Sequence, residues 1–168
     1  MRNQARSCAV ASALVLWVAA PACHRAEPWV SPVAFDTARS WLIQAGDSVP
    51  LLLEVAKTDA QRTVGLMDRP FLEESSGMVF LFDTVRSEEA GFWMWRTKMP
   101  LDIAFMDSAG VIMRIVEMEP CETRYHPTAC PQYRPGVEYW SALEVNRGWL
   151  ASQRLGVGAR LEMEEGVP

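Results

Sequence analysis

The stretch LDIAFMDSAGVIMRIVEM, residues 101–118, reads as two strands joined by a tight turn. Asp107 and Gly110 take the first and last positions of a type I turn, which suits a short hairpin loop. Strand alternation puts Leu101, Ile103 and Phe105 on one face and Asp102, Ala104 and Met106 on the other. With that turn, Met106 is expected to face Ile112, Ala104 to face Arg114, and Asp102 to face Val116. Moving outward, residues 40–45 and 50–57 flank Gly46-Asp47-Ser48 as a second hairpin, and 78–82, 92–95, 139–146 and 159–163 are further short strands. Thr58 and Gln61 form a capping-box pair that opens a short helix limited by Gly65 and Pro70, and residues 148–155 form a second short helix. This pattern predicts a mainly β fold, an antiparallel jelly-roll-like sandwich or partly closed barrel with two short helices.

Composition narrows the function classes. With 168 residues, 49% of them hydrophobic, the chain suits one folded domain rather than a disordered segment. Acids outnumber bases by 21 to 16, against the clustered cations that phosphate contacts need, so no nucleic-acid partner is expected. The four cysteines make no paired C-x-x-C knuckles, and P-loop, dinucleotide, G-x-S-x-G and H-E-x-x-H motifs are absent. No metal and no cofactor is expected.

Residues 1–22 read as an address. Arg2 and Arg6 precede an uncharged apolar run at 8–20, and Ala20-Pro21-Ala22 supplies small residues for cleavage. A run of 13 residues is short of the ~20 that a membrane-spanning helix needs. Ala22-Cys23 resembles the end of a bacterial lipoprotein signal, which implies an acylated Cys23 as the new N-terminus and the membrane as partner. Plain secretion with the same cut and an uncleaved anchor are the alternatives. The expected organisation is a signal peptide at 1–22, a tether at 23–38 and one β-rich domain at 39–165, in an extracytoplasmic, membrane-anchored protein. Cleavage would leave 14 cations against 21 anions.

Four stretches then carry a resemblance: RTVGLMDR at 62–69, GMVFLF at 77–82, FWMWRTKMPLDIAF at 92–105 and LEVNRG at 143–148. Their order and spacing are similar to those of the bacterial and archaeal family catalogued as domain of unknown function 192. The resemblance implies a compact β-rich, jelly-roll-like fold, often exported, and implies no established reaction. Trp95 and Arg96 stand where the family usually carries a basic residue followed by asparagine.

Several side chains are candidates for chemistry. Cys121 and Cys130 enclose eight residues and most simply form a disulfide in an oxidising compartment. A Cys-His-Cys metal set with His126 is the weaker alternative, since no fourth ligand is evident. Asp102 shares a face with Ala104 and Met106, where burial would raise its pKa, and the predicted register makes Arg114 its diagonal ion-pair partner. Glu144 and Asn146 share a face of their strand with Trp140 and Ala142. Trp93 and Trp95 fall on one side of another strand, as core or as a stacking platform, with Trp95 the more exposed because of the position it occupies. Arg62 and Arg69 could hold an anion together, or simply be solvated cations. The expected ligand-binding set is Trp93, Thr97, Asp102, Glu144 and Asn146, for a small polar or sugar-like ligand. The alternative is a hydrolase using Asp102 and Glu144 as acid and base, a pair that must lie ~5–9.5 Å apart.

Overall fold

The hairpin turn at Asp107 forms by local hydrogen bonding. Gly110 N–H donates to the Asp107 carbonyl at 3.1 Å, and Asp107 Oδ1 accepts from the N–H groups of Ala109 and Val111 at 2.8 and 2.9 Å. Gly110 has φ +76°, and a Cβ there would meet the Leu161 carbonyl oxygen at 2.8 Å. Both the backbone and the available space therefore require glycine.

The computed structural model describes residues 29–121 and 126–164. Their strands are β1 (Asp36–Gln44), β2 (Asp47–Ala56), β3 (Ser76–Arg86), β4 (Phe92–Trp93), β5 (Leu101–Met106), β6 (Ile112–Met118), β7 (Gln132–Tyr133), β8 (Tyr139–Asn146) and β9 (Arg160–Met163). Two short helices, α1 (Asp59–Val64) and α2 (Trp149–Ser152), complete the fold with a 3-10 turn at Pro127–Ala129. The mainly β expectation holds. Seven strands form one sheet in the order β6-β5-β8-β3-β2-β1-β9, and β4 pairs with β7 in a small second sheet.

The sheet is mixed rather than wholly antiparallel, because β2 and β3 run parallel across the connection that carries α1. Its edges approach each other at one corner, where Val111 bridges Arg160 and Ile112 N–H donates to the Ala159 carbonyl at 2.8 Å. The sheet curls without closing into a barrel. The first hairpin closes on Ala45 and Gly46, with φ of +52° and +93°, one residue earlier than Gly46-Asp47-Ser48 suggested.

Register departs from expectation within the quoted stretch. Met106 does face Ile112, but Phe105 then faces Arg114, Ala104 faces Ile115, and Asp102 faces Glu117. Met113 is the extra residue of a bulge, which shifts every later pair by one. The Asp102–Arg114 diagonal pair is thereby removed.

Two apolar layers lie on opposite faces of the sheet. One holds Leu42, Leu53, Val79, Ala104, Met106, Leu143 and Val145 and is plugged by Trp149 and Leu150 of α2. The other holds Met78, Phe80, Leu101, Ile103, Phe105 and Ala142 and is covered by Leu66, Met94 and Met99. The chain joins the body earlier than residue 39. Strand β1 starts at Asp36, Phe35 packs on the second layer, and the Trp29 ring lies 4.9 Å from Arg69 Cζ. Residues 1–22 and Cys23 lie outside the described residues.

Candidate functional site

The cover over the second layer leaves a cavity of about 340 Å³ between α1, the Phe92–Thr97 segment and the sheet. Its construction starts with the capping box. Thr58 Oγ1 accepts from Gln61 N–H at 3.2 Å, and Gln61 Oε1 accepts from Thr58 N–H at 3.0 Å, which fixes where α1 begins. Asp59, Arg62 and Gly65 thereby reach one wall. Arg62 is held in place there. It donates to the carbonyls of Lys57 and Leu81 at 2.7 and 2.8 Å, pairs with Asp59 at 2.6 Å, and sits 5.3 Å from the Phe82 ring centroid.

The facing wall is the aromatic segment. Met94 is buried, while Trp93 is 39% exposed and Trp95 is half-buried. Phe92, Trp93, Trp95 and the buried Thr97 all line the cavity, as does Tyr139. The exposure order of the two tryptophans is thus the reverse of the expected one. The Cys121–Cys130 disulfide expected from the sequence is present, with Cα atoms 6.0 Å apart, and it takes up both thiols of the Cys-His-Cys alternative. It braces the aromatic segment: Arg96 N–H donates to the Cys121 carbonyl at 2.8 Å, and Cys121 N–H donates to the Met94 carbonyl at 3.2 Å.

Glu144 forms part of the floor. It projects from β8 between Met78 of β3 and Ile103 of β5. It is only 4% exposed, and its carboxyl has no hydrogen-bond or ion-pair partner among the described residues. Burial pushes its pKa to about 8, so at neutral pH it is mostly protonated, able both to donate and to accept a hydrogen bond. Gly77 makes this packing possible, since a Cβ there would meet the Glu144 carbonyl oxygen at 2.5 Å.

The other expected site residues separate from this cavity. Asp102 pairs with Val145 and shares the opposite face of the sheet with Ala104 and Met106. Its Oδ2 accepts from Gly148 N–H at 2.8 Å, which ties down the start of α2. Burial raises its pKa, an effect opposed by the Gly148 hydrogen bond. Asn146 points its amide toward the loop after α1 and donates to the carbonyls of Leu72 and Glu73 at 3.0 and 3.2 Å. Asp102 and Asn146 are thus bonded away from the cavity, and Trp93, Thr97 and Glu144 line it together. Asp102 and Glu144 cannot serve as an acid/base pair, because the sheet lies between their side chains. Arg62 and Arg69 take separate carboxylate partners, Asp59 and Glu54.

Tyr139, Phe82 and Arg86 line the cavity without having been singled out in the sequence. Alternation counted back from Ala142 would put Tyr139 on the opposite face, with Leu143 and Val145. An irregularity in β3 and β8 moves the pairing from Leu81–Ser141 to Arg86–Tyr139, which buries Tyr139 and leaves Trp140 41% exposed. Its hydroxyl donates to the Ala90 carbonyl at 2.6 Å.

The DUF192 profile, described as an uncharacterized ACR, matches residues 41–163. The chain belongs to the DUF192 family. Two solved structures share the fold of this DUF192 domain. One, a candidate transcription regulator from Sinorhizobium meliloti, is 30% identical with a TM-score of 0.67, over 78% of this chain and 96% of its own. The other, a protein of unknown function from Novosphingobium aromaticivorans, is 27% identical with a TM-score of 0.67, over 82% and 94%. No curated protein matches.

Proposed function

We propose that this DUF192 protein is an extracytoplasmic, lipid-anchored binding module that holds a small polar ligand in the Glu144 cavity. The observation that carries this reading is a buried carboxyl without a protein partner, lining a space walled by Trp93, Trp95 and Thr97. A buried polar group is costly unless hydrogen-bonded, and a ligand that supplies the bond recovers that cost. The indole rings add stacking area for a flat or sugar-like molecule. Acylation at Cys23 is the proposed attachment, and a disulfide is in keeping with an oxidising compartment. The regulator description of the Sinorhizobium protein is not extended to this chain, whose 21 acids against 16 bases disfavour phosphate contacts.

Two measurements test the reading. Titrating the full chain with small sugars, polyols, amino acids and amines should shift tryptophan fluorescence saturably for at least one class, and Trp93→Ala should weaken that response. A panel that leaves the spectrum unchanged rejects the cavity as a binding site. Separately, a palmitate analogue should label the wild type and not Cys23→Ala; an unlabelled, freely soluble wild type rejects the anchor.

A further inference from the structure

Charges around the cavity divide into two groups. At one side Arg62 and Arg86 lie 5.3 and 5.1 Å from the Phe82 ring centroid, with Arg62 paired to Asp59 and donating to the Lys57 and Leu81 carbonyls. The Arg62 guanidinium is thus fully engaged, while Arg86 rests on the Phe82 ring. At the other side Glu144 stands without a compensating cation: burial is the one influence on its titration, and neither arginine offsets it. Phe92, Trp93, Trp95 and Tyr139 line the same space, and the Trp95 ring already has the Arg96 guanidinium 5.4 Å from its centroid.

A lone buried carboxyl beside several aromatic rings has a particular complement. A neutral sugar would find hydrogen-bonding groups in Glu144 and Thr97 but leave the carboxyl's capacity for charge unused. An anion would gain nothing from Glu144, and of the two arginines Arg62 is already paired with Asp59. A cation gains from both the carboxylate and the ring quadrupoles, each of which strengthens as water is excluded. We propose that the occupant of the cavity is a small organic ammonium ion, its cationic head set against the Glu144 carboxylate and the Trp93 ring. This assignment rests on the binding-module reading and names its ligand class. In the free protein at neutral pH the carboxyl is mostly protonated; binding transfers that proton to solvent, so the ion pair forms with close to one proton released per ligand. Affinity then rises about tenfold per pH unit below the Glu144 titration point of about 8, and levels off above it.

The test uses the full-length chain and four probes: choline, its uncharged isostere 3,3-dimethylbutan-1-ol, ethanolamine and methyl glucoside. Calorimetric titrations at pH 6.5, 7.5 and 8.5, in buffers of different ionisation enthalpy, read affinity and proton release together. The expected result is saturable binding of choline or ethanolamine, close to tenfold tighter at pH 7.5 than at 6.5, with proton release. The uncharged isostere should bind at least tenfold more weakly than choline. Glu144→Gln should lose at least tenfold in cation affinity and lose the pH dependence, with circular dichroism and thermal unfolding confirming that it folds. Binding of methyl glucoside or the isostere as tightly as the cations, without proton release, overturns the ammonium assignment and leaves the binding module standing. Failure of both cations to bind overturns the assignment, and failure of every probe here and in the fluorescence panel overturns both.

Discussion

Asp102 and Glu144 lie on adjacent paired strands, one register step apart, and project to opposite faces of the same sheet. Asp102 is paired with Val145, and Glu144 with Ile103. Directly opposed residues of an antiparallel pair share a face, so the one-step offset is sufficient to separate the two carboxyls. Both are buried and both titrate above their ordinary range, yet only Glu144 lines the cavity. Asp102 instead accepts a hydrogen bond from Gly148 at the entry to α2. A shared chemical signature therefore covers two different duties.

Removing the Asp102 acceptor should lower stability without touching ligand binding. Asp102→Ala removes the acceptor of the Gly148 N–H, a part-buried hydrogen bond at an exposed glycine, and the expected loss is about 1 kcal/mol. Asp102→Asn keeps an acceptor and should lose less. Urea unfolding of the three proteins gives the ranking, and fluorescence titration of the folded variants should give unchanged affinities. An Asp102→Ala protein of wild-type stability with impaired binding would contradict the assignment of the two faces.

Glu144 should make the protein less stable as pH rises. Its pKa is about 8 in the folded chain against an ordinary value of 4.5. Between those values the native state holds a proton that the unfolded state has released, so unfolding free energy falls with pH, by at most about 1.4 kcal/mol per pH unit. Below 4.5 both states are protonated and the contribution is absent; above about 8 the full penalty is present. Glu144→Gln removes the titration, so the difference in stability between variant and wild type should widen steadily from pH 5 to 8. Denaturant midpoints across that range check it, and a constant difference would be incompatible with a buried, unpartnered carboxyl.

Sequence legibility followed the range of the interactions. The Asp107–Gly110 turn and the Thr58–Gln61 capping box are built within a few residues, and both could be read from residue types at fixed spacing. The bulge at Met113 leaves no comparable signature, and because strand faces alternate, it sufficed to invalidate the Asp102–Arg114 pairing. Parallel pairing of β2 with β3 brings together residues more than 20 positions apart, beyond any local pattern. Glu144 could be placed on the face of Ala142 by alternation. What covers that face could not, because α1, the aromatic segment and Tyr139 reach it from three separate parts of the chain.

The capping box should be measurable as a coupled pair. Thr58→Ala removes the acceptor for Gln61 N–H and is expected to cost about 1 kcal/mol, and Gln61→Ala frees the Thr58 and Lys57 N–H groups. Because each side chain serves the other's backbone, the double variant should cost less than the sum of the single ones. Arg62 stands one residue beyond Gln61, so Thr58→Ala should also weaken ligand binding modestly by loosening the α1 wall. A double-variant cycle with additive energies would show that α1 begins independently of this pair.

Reduction of the disulfide should loosen the opposite wall more than the sheet. Cys121–Cys130 closes a short loop, for which chain entropy gives roughly 2–3 kcal/mol of stabilisation. Its local consequence is more specific. Cys121 holds both Met94 and Arg96 through backbone hydrogen bonds, and Trp95 lies between them. Reduced protein, or a Cys121→Ser/Cys130→Ser double variant, should melt earlier, show altered tryptophan emission, and bind cavity ligands more weakly. Hydrogen exchange locates the effect: amides of residues 93–97 and 121 should lose protection while those of β1 and β2 keep theirs. Equal loss of protection in β1 and β2 would mean that the disulfide stabilises the fold globally and has no particular hold on the cavity wall.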